Sequence, residues 1–171
     1  MTLYRKTMAV IRPASDGDVA GIQRVARTTW HATYDDILGS QTVDAQVNEW
    51  YADDVITGSI DDDRTVYLVA AVDERVTGYA SAGPTNDADA ATLHAIYVLP
   101  DHWGDGVGSR LFEAVLKRLQ ERGFDQLRIH VLAENDRGRQ FYERHGFSVT
   151  ERDRVTLAGQ HVDEVIYEDA V

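Results

Sequence analysis

The sequence predicts a single domain of the α/β (α+β) class, with helices packed against one central mixed sheet. Three observations lead there. Strand-like runs and helical stripes succeed one another as strand, two helices, three strands, helix, strand, helix and two strands. The chain has 171 residues and is 43% apolar, enough for one buried core. No repeat, low-complexity tract or linker divides it.

Residues 1–7 read as an N-terminal extension and residues 8–171 as the domain. A first strand covers 8–13 and stops at Pro13. Asp16 or Asp18 caps a helix running to about Tyr34, with Val19, Ile22, Val25, Ala26 and Trp30 on one face. A turn at Leu38-Gly39-Ser40 leads to a second helix over 42–56, apolar at Val43, Val47, Trp50 and Tyr51. The period then shortens. Thr65 to Val72 and Val76 to Ala82 form a hairpin around Asp73-Glu74-Arg75, and a loop over 85–90 follows Gly83-Pro84. Ala91 to Leu99 is a fourth strand, ended by Pro100. Val107, Leu111, Val115 and Leu119 mark a third helix closed by Gly123. Gln126 to Leu132 is a strand, and Asn135 to His145 a short helix stopped by Gly146. Phe147 to Asp153 and His161 to Glu168 pair around Ala158-Gly159.

Composition bounds the function. The formal charge is −12, and the acids are scattered apart from Asp61-Asp62-Asp63. This is a solvated acidic surface, such as salt-adapted proteins carry, and its field concentrates cations. Nothing supplies the basic face that nucleic acid requires. No apolar run approaches the roughly 18 residues of a membrane helix, so no membrane partner is expected. With no cysteine there is no thiol nucleophile, and the chain suits a reducing cytoplasm. His102, His130, His145 and His161 show no ligand spacing, so no metal site is expected.

The strongest local signal is Trp103-Gly104-Asp105-Gly106-Val107-Gly108-Ser109, between a strand and a helix. Glycines permit positive φ and close backbone approach. The first helical amides lack internal partners and sit at the positive end of the helix dipole, which makes an anion site. A phosphate-binding loop of the G-x-x-x-x-G-K-[ST] type is excluded, because no lysine follows Gly108. The dinucleotide pattern fails at Ser109, where glycine is required.

The run Leu93-His94-Ala95-Ile96-Tyr97-Val98-Leu99-Pro100 with Trp103 to Leu111 resembles the cofactor motif of the Gcn5-related N-acetyltransferases (GNAT). Gly106 and Gly108 match it, and Trp103 stands where arginine or glutamine is usual. A second block, Asn135-Asp136-Arg137 with Phe141-Tyr142-Glu143-Arg144-His145-Gly146-Phe147, matches in the family's order and spacing. The segment Trp30 to Leu38 is similar to the PaiA-like and RimI-like members. The resemblance implies a bent, mostly antiparallel sheet of about seven strands with four helices, splayed between strands four and five. It implies acetyl-CoA as co-substrate. Ile96, Tyr97 and Val98 would offer backbone groups to its pantetheine arm. Amides of Gly104, Asp105, Gly106, Val107, Gly108 and Ser109 would hold the pyrophosphate, with Trp103 beside them. Asn135 would bond the arm and Phe141 pack along it. Tyr142 would protonate the leaving thiolate.

Many relatives carry a glutamate base near position 92, where this chain has Thr92. His94 is the nearest titratable candidate; a packing histidine or a water chain serves equally. Trp30, Tyr34 and Asp35 border the acceptor side. Three functions stay open: an acetyltransferase on a small, polyamine-like amine, the same chemistry on a protein N-terminus or lysine, and a non-catalytic acyl-CoA-binding module. Dimerisation is common in the family, so a homodimer is compatible with the sequence, although no segment specifies one.

Overall fold

The computed structural model describes residues 8–86 and 89–171. The proposed extension over 1–7, and positions 87 and 88 of the loop over 85–90, lie outside the described residues. Seven strands form one sheet: β1 (Val10–Pro13), β2 (Val66–Val72), β3 (Arg75–Pro84), β4 (Ala90–Val98), β5 (Gln126–Leu132), β6 (Ser148–Leu157) and β7 (Gln160–Ala170). Their spatial order is β1-β2-β3-β4-β5-β7-β6. Every pairing is antiparallel except β4 with β5. Five helices flank the sheet: α1 (Val19–Leu38), α2 (Ser40–Trp50), α3 (Asp53–Asp61), α4 (Val107–Glu121) and α5 (Asp136–Arg144). No described helix is long and apolar enough to cross a membrane.

The expected four helices are five because the run over 42–56 breaks at Tyr51-Ala52. Ala52 is extended, at φ −62° and ψ 151°. The Tyr51 carbonyl accepts from Gln23 Nε2 at 2.9 Å, and its hydroxyl accepts from Tyr79 at 2.6 Å. Tertiary bonds at Tyr51 thus outweigh continued helix. The helix-start expectation also changes. Asp18 makes no side-chain cap to α1; its carboxylate turns back to Arg12 at 2.7 and 2.9 Å and to the Ser15 amide at 2.9 Å. The Arg12 bond holds that carboxyl below its ordinary pKa.

Each sheet face carries its own core. On one, Leu111, Phe112, Val115 and Leu119 of α4 pack with Tyr142 and Phe147 on Leu68, Ala80, Leu127 and Ile129. On the other, Ile22, Val25 and Trp30 of α1 and Val43 of α2 pack on Val69, Val76 and Tyr79.

Two irregularities shape the functional side. Ser81 pairs with Ala95 but Ala82 pairs with Leu93, so His94 is an extra, bulged residue on β4. Strict alternation would put Leu93 and Ala95 on one face; the bulge sends Leu93 to the α4 core and Ala95 to the α1 core. Immediately beyond, β4 and β5 part. Their parallel ladder covers only Ala90–Leu93 against Gln126–Ile129.

Close packing of α1 on β3 generates a stability prediction. A Cβ at Gly21 would stand 2.9 Å from Val76 Cγ2. Overpacking of this kind costs about 1–3 kcal/mol, partly offset by the better helix propensity of alanine, about 1 kcal/mol. Taken at the middle of that range the net cost is about 1 kcal/mol, so Gly21→Ala is expected to lower Tm by about 2–4 °C in thermal denaturation. An unchanged or raised Tm would contradict the packing.

Candidate active site

A cleft of about 320 Å³ opens where β4 and β5 separate. Its floor is the free edge of β4. The Leu99 amide bonds the Thr77 carbonyl on β3, at 2.9 Å. Backbone groups alternate sides along a strand, so those of Tyr97 also face β3, and those of Ile96 and Val98 face the gap. The Val98 carbonyl is already engaged, accepting from Trp103 Nε1 at 2.8 Å. Of the three residues expected to offer backbone groups, Ile96 is the freest, Val98 keeps its amide, and Tyr97 contributes its ring.

The glycine loop closes one end. Gly104 and Gly106 have φ of +83° and +80°, a region that strains other residues. Among the described residues, the amides of Gly104, Gly106, Val107, Gly108 and Ser109 have no protein acceptor. Asp105 differs from its neighbours: its amide is directed to the His102 carbonyl at 3.4 Å, and the residue does not line the cleft. The Ser109 hydroxyl is paired with His145 Nε2 at 3.1 Å, leaving its amide as the available group. A Cβ on Gly108 would lie 3.3 Å from the Phe141 ring, so close approach of α5 to this loop depends on that glycine.

The described residues lining the cleft include no carboxylate, although the chain carries a charge of −12. They do include Arg137 and Arg144. Arg137 Cζ lies 3.9 Å from the centroid of the Trp103 ring. Trp103, standing where a cation or amide donor was expected, thus seats a guanidinium delivered from α5.

Asn135 caps α5, its Oδ1 accepting from the Gly138 amide at 3.0 Å, while Nδ2 donates to the Tyr34 hydroxyl at 3.4 Å. Tyr34 in turn bonds the Tyr97 hydroxyl at 2.8 Å. Phe141 and Tyr142 line the cleft from α5. The Tyr142 hydroxyl makes no hydrogen bond among the described residues, and burial raises its pKa well above that of a free phenol. His94 reaches solvent through the cleft, yet protein surrounds much of it, and this partial desolvation lowers its pKa.

A second cavity, about 480 Å³, adjoins the first across β4. Trp30, Trp50, Tyr51, Tyr67 and Tyr97 form aromatic walls. Trp30 and Tyr34, both acceptor-side candidates, line it, and the Trp30 indole N–H is buried without a hydrogen-bond partner. Asp35 lines neither cavity; it bonds His31 Nδ1 at 2.6 Å. His130 and Glu164, which spacing did not single out, also line this cavity. No group of residues suited to hold a metal occurs among the described residues.

The acetyltransferase (GNAT) family model matches residues 27–147. Among relatives, the spermidine N(1)-acetyltransferase of Thermoplasma acidophilum is 25% identical over 147 residues, covering 84% of this chain and 90% of that protein. The phosphinothricin N-acetyltransferase of Streptomyces viridochromogenes is 29% identical over 157 residues, 87% and 78% of the two chains. The structure of the PaiA N-acetyltransferase from Thermoplasma acidophilum in complex with coenzyme A superposes with a TM-score of 0.84 at 23% identity, covering 95% of this chain and 99% of that one. Fold and family match define an acyl-CoA-dependent acetyltransferase. The chain belongs to the GNAT family.

The double engagement of Asn135 is separable by substitution. Asn135→Ala removes a helix cap and is expected to cost about 1 kcal/mol. Asn135→Asp keeps a capping oxygen and is expected to retain most of the stability while losing the donor to Tyr34. Equal loss of Tm in both variants would contradict the capping role.

Proposed function

We propose that this chain transfers an acetyl group from acetyl-CoA to a primary amine of a small molecule, by direct attack of the amine on the thioester. The observation that carries the reading is the carboxylate-free cleft in an otherwise acidic chain, ending in five amides without protein acceptors. Amides without internal partners at a helix N-terminus bond water in the free protein, and a pyrophosphate replaces that water with stronger, charged acceptors. Arg137, seated on Trp103, adds a charge-assisted bond to the same phosphates. The free edge at Ile96 and the Val98 amide suits the amide groups of a pantetheine arm lying between β4 and β5, with Asn135 Nδ2 and the Phe141 ring alongside.

Tyr142 is the proton donor to the leaving thiolate. Its raised pKa keeps the phenol protonated across the working range, and its hydroxyl is uncommitted. A free thiol has a pKa of about 8.5, below that of this buried phenol, so Tyr142 meets the departing sulfur as a hydrogen-bond donor, and the proton follows because the same desolvation raises the basicity of the thiolate.

A polyamine-like acceptor is the finer reading. The identity to a spermidine acetyltransferase supports it, as do the aromatic walls of the second cavity, whose faces attract ammonium groups. A negative overall field adds to that attraction. The absence of cysteine agrees with the cytoplasm as the place of action.

Calorimetric titration with acetyl-CoA, followed by a thiol-release assay over monoamines, polyamines and peptides, tests the proposal. Binding, and transfer to small amines ahead of peptides, is expected; absence of acetyl-CoA binding would overturn the reading. Tyr142→Phe is expected to reduce kcat on the order of 100-fold with little change in acetyl-CoA affinity. Full turnover in that variant across pH would remove Tyr142 from the acid role. Arg137→Gln is expected to weaken acetyl-CoA binding about 10-fold, as loss of a charge-assisted bond of roughly 1.5 kcal/mol would.

A further inference from the structure

We propose that His130, oriented by Glu164, takes the proton from the acceptor ammonium, which sits in the aromatic cavity beside it. The inference rests on the acetyltransferase reading and supplies the base that the missing glutamate at Thr92 leaves open.

The argument begins with place. A base must touch both donor and acceptor spaces. Six residues line both cavities: Tyr34, Leu93, His94, Ala95, Tyr97 and His130. Leu93 and Ala95 carry no titratable group. Tyr34 and Tyr97 hydrogen-bond to each other, and burial keeps both phenols protonated. Two imidazoles remain.

Orientation separates them. His130 Nδ1 lies 2.9 Å from Glu164 Oε1. A carboxylate there accepts the Nδ1 hydrogen, fixes the tautomer and leaves the Nε2 lone pair free to receive a proton. His94 has no such partner; its Nε2 is turned against Gly83, 3.1 Å from where a Cβ on that residue would stand. The position of His130 is set by the sheet. It follows Ile129, the last β5 residue paired with β4, and thus stands at the point where the strands part. Glu164 lies on β7, opposite Leu132, on the face that His130 shares.

The pair also differs from an ordinary surface bridge. Arg128 and Glu151, nearby on β5 and β6, have side chains 32% and 54% exposed. Glu164 is only 12% exposed while His130 is 41% exposed. A carboxylate enclosed in a cavity wall behind an accessible imidazole fits a proton acceptor that discharges to water.

The proton balance closes. The ammonium gives one proton to His130 Nε2. The neutral amine attacks, the C–N bond forms and the C–S bond breaks. The second proton leaves the nitrogen to solvent as Tyr142 protonates the thiolate, and Tyr142 regains a proton from water. His130 then releases its own, so the net reaction yields amide, thiol and one proton.

The test is the pH profile of kcat/KM for wild type, His130→Asn, Glu164→Gln and His94→Asn, with acetyl-CoA affinity and Tm measured for each. The charged and titratable groups around His130 are Glu164 on β7, His94 and Tyr97 on β4, Tyr34 on α1, and Arg128 on β5 with its partners Glu151 and Glu168. His130→Asn is expected to lose about 100-fold at pH 7, and to recover as pH approaches the amine's own pKa near 10. Glu164→Gln is expected to lower kcat/KM about 10-fold while keeping the acidic limb of the profile, because the carboxylate that fixes the Nδ1–H tautomer is gone and the imidazole remains. Acetyl-CoA affinity is expected to stay within about 2-fold in both, a change of well under 1 kcal/mol. A wild-type profile in His130→Asn with normal acetyl-CoA binding would overturn the assignment. So would loss of the limb in His94→Asn with its retention in His130→Asn. Failure of the wild type to bind acetyl-CoA would instead remove the acetyltransferase reading on which this one stands.

Discussion

Beyond Leu93 and Ile129, β4 and β5 stop sharing hydrogen bonds, and the site depends on that separation. A strand edge inside a protein carries donors and acceptors that must be satisfied. Here the edge at Ile96 and Val98 faces a cleft, not a neighbouring strand. The bulge at His94 is the local cause: it turns the alternation of β4 over within one residue, just where pairing ends. Seven strands are thereby interrupted in the middle, leaving a slot that an extended, amide-bearing molecule fits as a strand would.

Electrostatics give the slot its direction. The glycine loop offers unpaired amides at the start of α4, and positive φ at Gly104 and Gly106 is what lets the chain curl there. The acids of the chain are kept out of the cleft among the described residues, while Arg137 is held at its rim by the Trp103 ring. Trp103 therefore acts as a seat for a cation, not as its replacement. On the other side of β4, aromatic rings of α1, α2 and β4 line a cavity suited to an ammonium group. The two cavities meet only along the residues that border both.

Much of this was legible because it is local. The glycines at 104, 106 and 108, set between a strand and a helix stripe, are a local signal for an anion loop, and Asn135, Phe141 and Tyr142 lie on one short helix and its cap. The succession of strands and helices along the chain followed from period and turn residues. What the sequence hid was tertiary. The break at Tyr51-Ala52 depends on partners at Gln23 and Tyr79, 28 residues away in either direction. The capping use of Asn135 and the turning away of Asp105 are matters of backbone conformation. His130 and Glu164 are 34 positions apart and meet only through the β5–β7 ladder, so no spacing rule could join them. Asp35, adjacent to Tyr34 in sequence, lies on the turn of α1 that faces His31 and away from both cavities.

The central claim is that backbone amides of the glycine loop hold the phosphates of an acyl-CoA. Amide nitrogen–proton NMR spectra recorded through a titration with acetyl-CoA test it residue by residue. The account predicts saturating downfield shifts at Gly104, Gly106, Val107, Gly108 and Ser109, with Asp105 moving less because its amide already faces the His102 carbonyl. A saturating titration that leaves those five amides unmoved would contradict it.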